Sequence, residues 1–428
     1  MKKDREEKDY FKEDGEKSSK DIFLNKVKGM IPNNSENDEE DEASQNRHKK
    51  INAGGLRKLV ICLIVVVVIV AGIVFMPGAN YNGYDVVEET GVTNASMVDY
   101  VPYQESLLKY SRDGATYVNE KGESVWTETF AMKMPRADVC GDYVAIADMN
   151  GNDVYIFDKE GKVSSTTMPY TVCDIAVAGQ GAFAVILEGK NDNYINIYDK
   201  NGGQIMERKT AIDQNGYPLD VDLSVNGEKL FSSYLSINEK GELESKLTAS
   251  NFGEVGQNEN ADRIVGGYQF EDTIVPKVEF LDNNTICAFG DDQFIIYSMK
   301  EKSSEKAVIP LESEVQSVVY NSQYVGVVLM NEDEKSPYVL KLYNTSGHEV
   351  LDKDIDMDYE NVRMNEEEII FTGGTDCKIY TLKGKLKFSY TFSKAVRDMV
   401  PTGYSKRYIV LYDSGSEVIR LKHQRVKE

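Results

Sequence analysis

The chain has 428 residues, 41% of them apolar, and carries 71 Asp+Glu against 49 Lys+Arg, a formal net charge of −22. Such an acidic balance argues against nucleic acid and against anionic lipid or polymer as the main ligand, leaving cations, basic proteins and neutral glycans. Five cysteines with no C-x-x-C pair are too sparse for a disulfide framework.

Residues 1–58 balance 14 basic against 14 acidic side chains and are poor in aromatics, which predicts a disordered tail. Within it Ile22, Phe23, Val27, Met30 and Ile31 fall on one side of a short helix. That patch offers a docking segment for a cytoplasmic partner or the membrane surface; the plainer reading is incidental apolar residues in a tail. Residues 59–76, LVICLIVVVVIVAGIVFM, follow without a charge. As a helix they reach ~27 Å, close to the ~30 Å hydrocarbon core of a bilayer. An open strand there would leave its backbone groups unpaired, so the stretch reads as a single membrane-spanning helix. Arg47, Lys49, Lys50, Arg57 and Lys58 precede it, whereas Asp85, Glu88 and Glu89 follow with no Lys or Arg until Lys109. The basic side stays in the cytoplasm, so the expectation is a signal anchor in the cell membrane with everything beyond it extracytoplasmic. No A-x-A site follows the span, and 58 residues precede it, which disfavours a cleaved signal peptide.

Residues 77–96 form a Gly/Asn-rich tether holding one predicted strand, Tyr84–Glu88. From residue 97 to 428 the expected fold is all-β, with no convincing helix. YVAIADMNGNDVYIFDKEGKV (143–163) parallels FAVILEGKNDNYINIYDKNGGQI (183–205), and the ending recurs as VNEKG (118–122), FDKEG (157–161), YDKNG (198–202), INEKG (237–241) and YNTSG (343–347). A short apolar strand leads each unit: ADVCG from 137, CDIAVA from 173, DVDLSV from 220, KVEFLD from 277, QSVVYN from 316, NVRMNE from 361, RDMVPT from 397 and, more weakly, SMVDYV from 96. A period of about 43 residues matches four antiparallel strands per unit, as in a β-propeller blade. Eight blades are expected, with seven as the alternative. The last unit shows three strands, so the missing outer strand is expected from Tyr84–Glu88, joining the two ends.

The aromatic-Asp-x-x-Gly turns resemble those of PQQ-like (quinoprotein-type) propellers, although Trp126 is the only tryptophan and the usual tryptophan-docking signature is absent. The whole arrangement is similar to a bacterial family of single-pass proteins carrying a PQQ-like propeller outside the membrane. The most telling stretch is ASNFGEVGQNENADRIVGGYQFEDTIVPKVEF (249–280). The resemblance implies fold and topology; it brings no activity with it.

Catalytic readings lack parts. His48, His348 and His423 are the only histidines, and no G-x-S-x-G, H-E-x-x-H or phosphate-binding glycine loop is present. The carboxylates outside the membrane are expected to be mostly solvated. Asp148–Asp153 hints at a calcium loop, but its glycine spacing favours a hairpin turn. Neither a metal nor a quinone cofactor is expected. Cys140 and Cys173, each near the start of a repeat, allow a bridge; free thiols are the expectation. What remains is an insertion at Asn251–Gly267, carrying Phe252, Glu254, Gln257, Asn258 and Arg263 as the candidate binding residues. The sequence therefore predicts a membrane-anchored, non-catalytic module that binds a protein or cell-envelope component and no nucleic acid. Two alternatives stay open: a sensor acting through a cytoplasmic tail partner, and an envelope enzyme.

Overall fold

The computed structural model describes residues 80–90 and 98–424, Glu105, Glu120 and Ser414 excepted. The tail with its Ile22–Ile31 patch, the predicted span at 59–76, Cys62 and parts of the tether lie outside the described residues. Among the described residues no helix is long and apolar enough to cross a membrane.

Eight four-stranded antiparallel sheets follow one another along the chain, an eight-bladed β-propeller. Blade 1 spans Asp99–Thr129, blade 2 Pro135–Thr167, blade 3 Thr171–Thr210 and blade 4 Tyr217–Phe270. Blade 5 spans Lys277–Pro310, blade 6 Val315–Ile355, blade 7 Asn361–Thr391, and blade 8 runs from Val396 to Lys422. All eight leading strands read from the sequence open a blade, and the first strands of blades 2, 3, 4 and 5 pack side by side around the central channel. Second strands such as those of blades 2 and 3 are apolar on both faces, because each is covered by a neighbouring blade: Val144–Ala147 and Phe183–Leu187 are fully buried runs, whereas blade 4 buries Ser232, Ser233 and Ser245.

Blade 8 takes its outer strand from the N-terminal side, as expected. Gly83–Thr90 pairs antiparallel with Gly415–Lys422. Tyr84 packs 5.1 Å from the Tyr390 ring and 5.2 Å from Phe392, and Asn82 and Gln424 exchange hydrogen bonds at 2.7 and 3.2 Å. The predicted tether thus supplies the strand that closes the ring, which removes a sheet edge.

The recurring turn has one mechanism. Asp158, Asn119, Asp199, Asn238 and Asn344 each accept two backbone N–H bonds on the side-chain oxygen, and the following glycine takes positive φ, as at Gly202 (87°) and Gly347 (80°). In four of these copies the turn joins the third and fourth strands of a blade. INEKG departs from the expected phase: it joins the second and third strands of blade 4, because an Asx turn suits any tight hairpin. Two short helices also break the all-strand expectation, α1 (Ile212–Asn215) and α2 (Glu254–Glu259). Residues 149–152 are a hairpin turn whose Asp148 carboxylate accepts the N–H groups of Lys133 and Met134, both at 2.8 Å. Cys140, Cys173, Cys287 and Cys377 are free thiols.

Candidate functional site

In blade 4 the third strand ends at Asn251, whose side-chain oxygen accepts the Gly253 N–H at 2.9 Å. That is the Asx start seen in other blades, but residues 252–263 replace the tight turn. The insertion is narrower than the expected Asn251–Gly267, since Ile264 already begins the fourth strand. It folds back on itself closely. A Cβ on Gly256 would sit 1.7 Å from the Asn251 carbonyl oxygen, so only glycine fits. Arg263 closes the loop with φ 58°, a left-handed conformation uncommon outside glycine, and Asn251 N donates to its carbonyl at 2.9 Å.

Both neighbouring blades pin the insertion. From blade 3, Arg208 Nη2 donates to Ser250 Oγ and to the Asp262 carbonyl, each at 2.8 Å. From blade 5, Glu301 O accepts from Asn251 Nδ2 at 2.8 Å, and Lys302 pairs with Glu259 at 2.6 Å. Under the insertion lies a cleft of about 590 Å³ between blades 3 and 4. Its apolar wall is Ile205, Met206 and the Phe252 ring; its charged wall is Arg208, Arg263 and Lys209, the last paired with Asp192 at 2.8 Å, beside Glu207 and Asp262. The Phe252 ring is half-buried and packs on the core between these blades. The Arg263 guanidinium sits 6.0 Å from its centroid.

Of the sequence-predicted residues, Phe252 and Arg263 line the cleft. Gln257 supports it by donating to the Phe252 carbonyl at 3.1 Å. Glu254 and Asn258 do not join them: both are exposed on α2, outside the cleft lining. Arg208, Ile205 and Met206 escaped the sequence reading, because they come from the outer strand of the preceding blade and nothing local marks them. A larger opening of about 770 Å³ lies over blades 7, 8 and 1. There Arg363 pairs with Asp398 and Lys387 with Glu368, while Lys406 and Arg407 lie over the Tyr81 and Tyr404 rings.

The channel wall holds exceptions to the expectation that the carboxylates are mostly solvated. Asp138 Oδ2 accepts the Val177 N–H at 2.6 Å, Asp174 Oδ2 that of Val221 at 3.1 Å, Asp220 Oδ2 that of Val278 at 2.7 Å, and Asp222 Oδ2 that of Phe280 at 2.6 Å. Each carboxylate therefore clasps the free edge of the next blade's first strand. Asp174 and Asp220 are buried; Asp138 and Asp222 keep some surface, yet protein encloses them on the channel wall. Burial pushes Asp138 up to about 6 and, with the neighbouring Asp174 charge, Asp220 up to about 7. Burial raises Asp174 too, opposed by Arg136 at 2.8 Å. The signal was available in the leading strands, as the Asp of ADVC and CDIA and both Asp of DVDL; the Asp of RDMV, Asp398, pairs with Arg363 instead. Among the described residues no group of three or more His, Cys, Asp and Glu side chains is placed to hold a metal ion.

The description "Family of unknown function (DUF5711)" matches residues 78–421, the whole ring apart from its last few residues. The chain belongs to this family. No curated protein matches the DUF5711 chain in sequence. Among solved structures it is similar to BamB from Moraxella catarrhalis, at 12% identity and TM-score 0.48, over 79% of this chain and 100% of that one. It is also similar to the Neurospora crassa Pan2 WD40 domain, at 9% and 0.42 over 68% and 89%, and to Kluyveromyces lactis Hsv2p, at 8% and 0.44 over 68% and 96%. At such scores the likeness carries nothing about ligand or role.

Proposed function

We propose that this DUF5711 chain is a PQQ-like propeller anchored by the span at 59–76 and presented outside the cell membrane. There it binds a protein or cell-envelope partner without catalysing a reaction. The observation that carries this reading is the insertion at 252–263, held by both adjacent blades over an amphiphilic cleft. A loop already pinned by its neighbours offers binding surface with little ordering cost on association. Among the described residues the other connections within a blade are shorter, at most the seven residues 331–337 of blade 6.

The test is a photo-crosslinker at Asn258, exposed on α2, in the full-length chain in intact cells. A discrete adduct that disappears in Arg263→Asn, with the chain still inserted and folded, supports docking at the insertion. An adduct unchanged by that variant moves the partner to another face. A sensor reading draws on one further fact: the strand that closes blade 8, Gly83–Thr90, follows the predicted span within a few residues of chain.

A further inference from the structure

We propose that the cleft beneath the insertion captures a carboxylate flanked by an apolar side chain, presented by the partner protein. The proposal rests on the docking reading above and names its chemistry. Two guanidinium groups, Arg208 from blade 3 and Arg263 from the insertion, face one space. Among the described residues neither pairs with a carboxylate, although the chain carries 71 acidic side chains. Arg208 Nη1 is buried and meets no hydrogen-bond partner there. A buried donor left unmet is costly, and a planar guanidinium is shaped for a carboxylate.

The rest of the cleft selects what accompanies the charge. Ile205 is 63% exposed at its edge, and Met206 and Phe252 continue the apolar wall. An apolar side chain would cover that surface while its neighbouring carboxylate meets the guanidinium groups. On a chain of net charge −22 much of the surface repels a carboxylate, whereas Arg208 and Arg263 favour one here even with Glu207 and Asp262 in the same lining. The left-handed backbone at Arg263 fits the same role, since unusual backbone is retained where a side chain must be held in place.

The carboxylate could come from a chain terminus or from a Glu or Asp side chain, and four fluorescent peptides separate these. They are Gly-Ser-Leu-Leu-Phe as free acid, its C-terminal amide, and amidated peptides with an internal Leu-Glu-Phe or Leu-Gln-Phe. Binding is read by anisotropy with the full-length chain in detergent. At least one acid should bind about tenfold tighter than its neutral twin, and added salt should shrink the difference. Preference for the free acid points to a terminus, and preference for the Glu peptide to a side chain. Arg263→Asn, which suits the left-handed backbone, and Ile205→Glu, at an exposed position, should each remove most of the difference with melting unchanged. Equal binding of acid and neutral twins, or a difference that survives both variants, overturns the proposal. If no peptide binds while the Asn258 crosslink still depends on Arg263, the carboxylate proposal falls and the docking reading stands. If the crosslink also fails, both fall.

Discussion

Asp220 in blade 4 holds the backbone N–H of Val278 in blade 5 at 2.7 Å, across the channel-side boundary between the two blades. Asp138 and Asp174 make the same clasp two blades and one blade earlier. The inner edges of blades 3, 4 and 5 are thus closed by a carboxylate of the preceding blade, and these acids sit enclosed on the channel wall.

That arrangement sets a pH dependence. Burial first, then the Asp174 charge, lifts Asp220 to about 7, against the pull of Lys277 and the Val278 N–H; an unfolded Asp titrates near ~4. Between those limits the folded chain binds more protons than the unfolded one, so this group's contribution to stability falls as pH rises from ~4 to ~7. We expect a lower melting temperature at pH 8 than at pH 5. Asp220→Asn keeps an oxygen for Val278 and should raise melting at pH 8 by a few degrees while flattening the slope. A variant that melts lower than the parent at pH 8 would show that the charged form is the clasp.

Ring closure is testable by truncation. A propeller fragment starting at residue 93 lacks the Gly83–Thr90 strand and leaves Tyr390 and Phe392 without Tyr84. It should melt clearly lower than one starting at 79 and be nicked first in blade 8. Tyr84→Ala should show a smaller drop of the same kind. Equal melting would mean that the seam adds nothing.

Gly256→Ala isolates the insertion from the blade. The added methyl meets the Asn251 carbonyl, so the loop must open, whereas the strands on either side are paired independently. Hydrogen exchange should accelerate across 252–263 and leave the second and third strands of blade 4 protected. Exchange confined to the parent pattern would show that the loop can shift at no cost.

Arg208→Met removes two hydrogen bonds that tie the insertion to blade 3 while keeping the length of its apolar stem. A cost of about 1–3 kcal/mol is expected from bonds donated by a charged group. Chemical denaturation should report it. Phe252→Ala is a poorer probe, since its half-buried ring packs between blades and its loss would also lower stability.

The proposed topology rests on charge alone. External protease on wall-stripped cells should reach the acidic portion and spare the first 50 residues. Protection of the C-terminal portion would reverse the orientation.

Repeat number, blade order and ring closure were legible in the amino-acid sequence, because they depend on local patterns. Alternating apolar strands, an Asx residue before a glycine, and one stray strand near the N-terminus each act over a few residues. The site was legible only in part. Phe252, Gln257 and Arg263 lie on one continuous segment and could be read as an insertion. Arg208 is more than 40 positions earlier, and its place beside Arg263 exists only because blade 3 packs on blade 4. INEKG shows the same limit from the other side: an Asx turn forms wherever a hairpin is tight, so its sequence says nothing about which strands it joins. The carboxylates of the leading strands were visible as a pattern. Their burial came from eight sheets closing around one channel, which turned ordinary acidic residues into clasps with displaced titration.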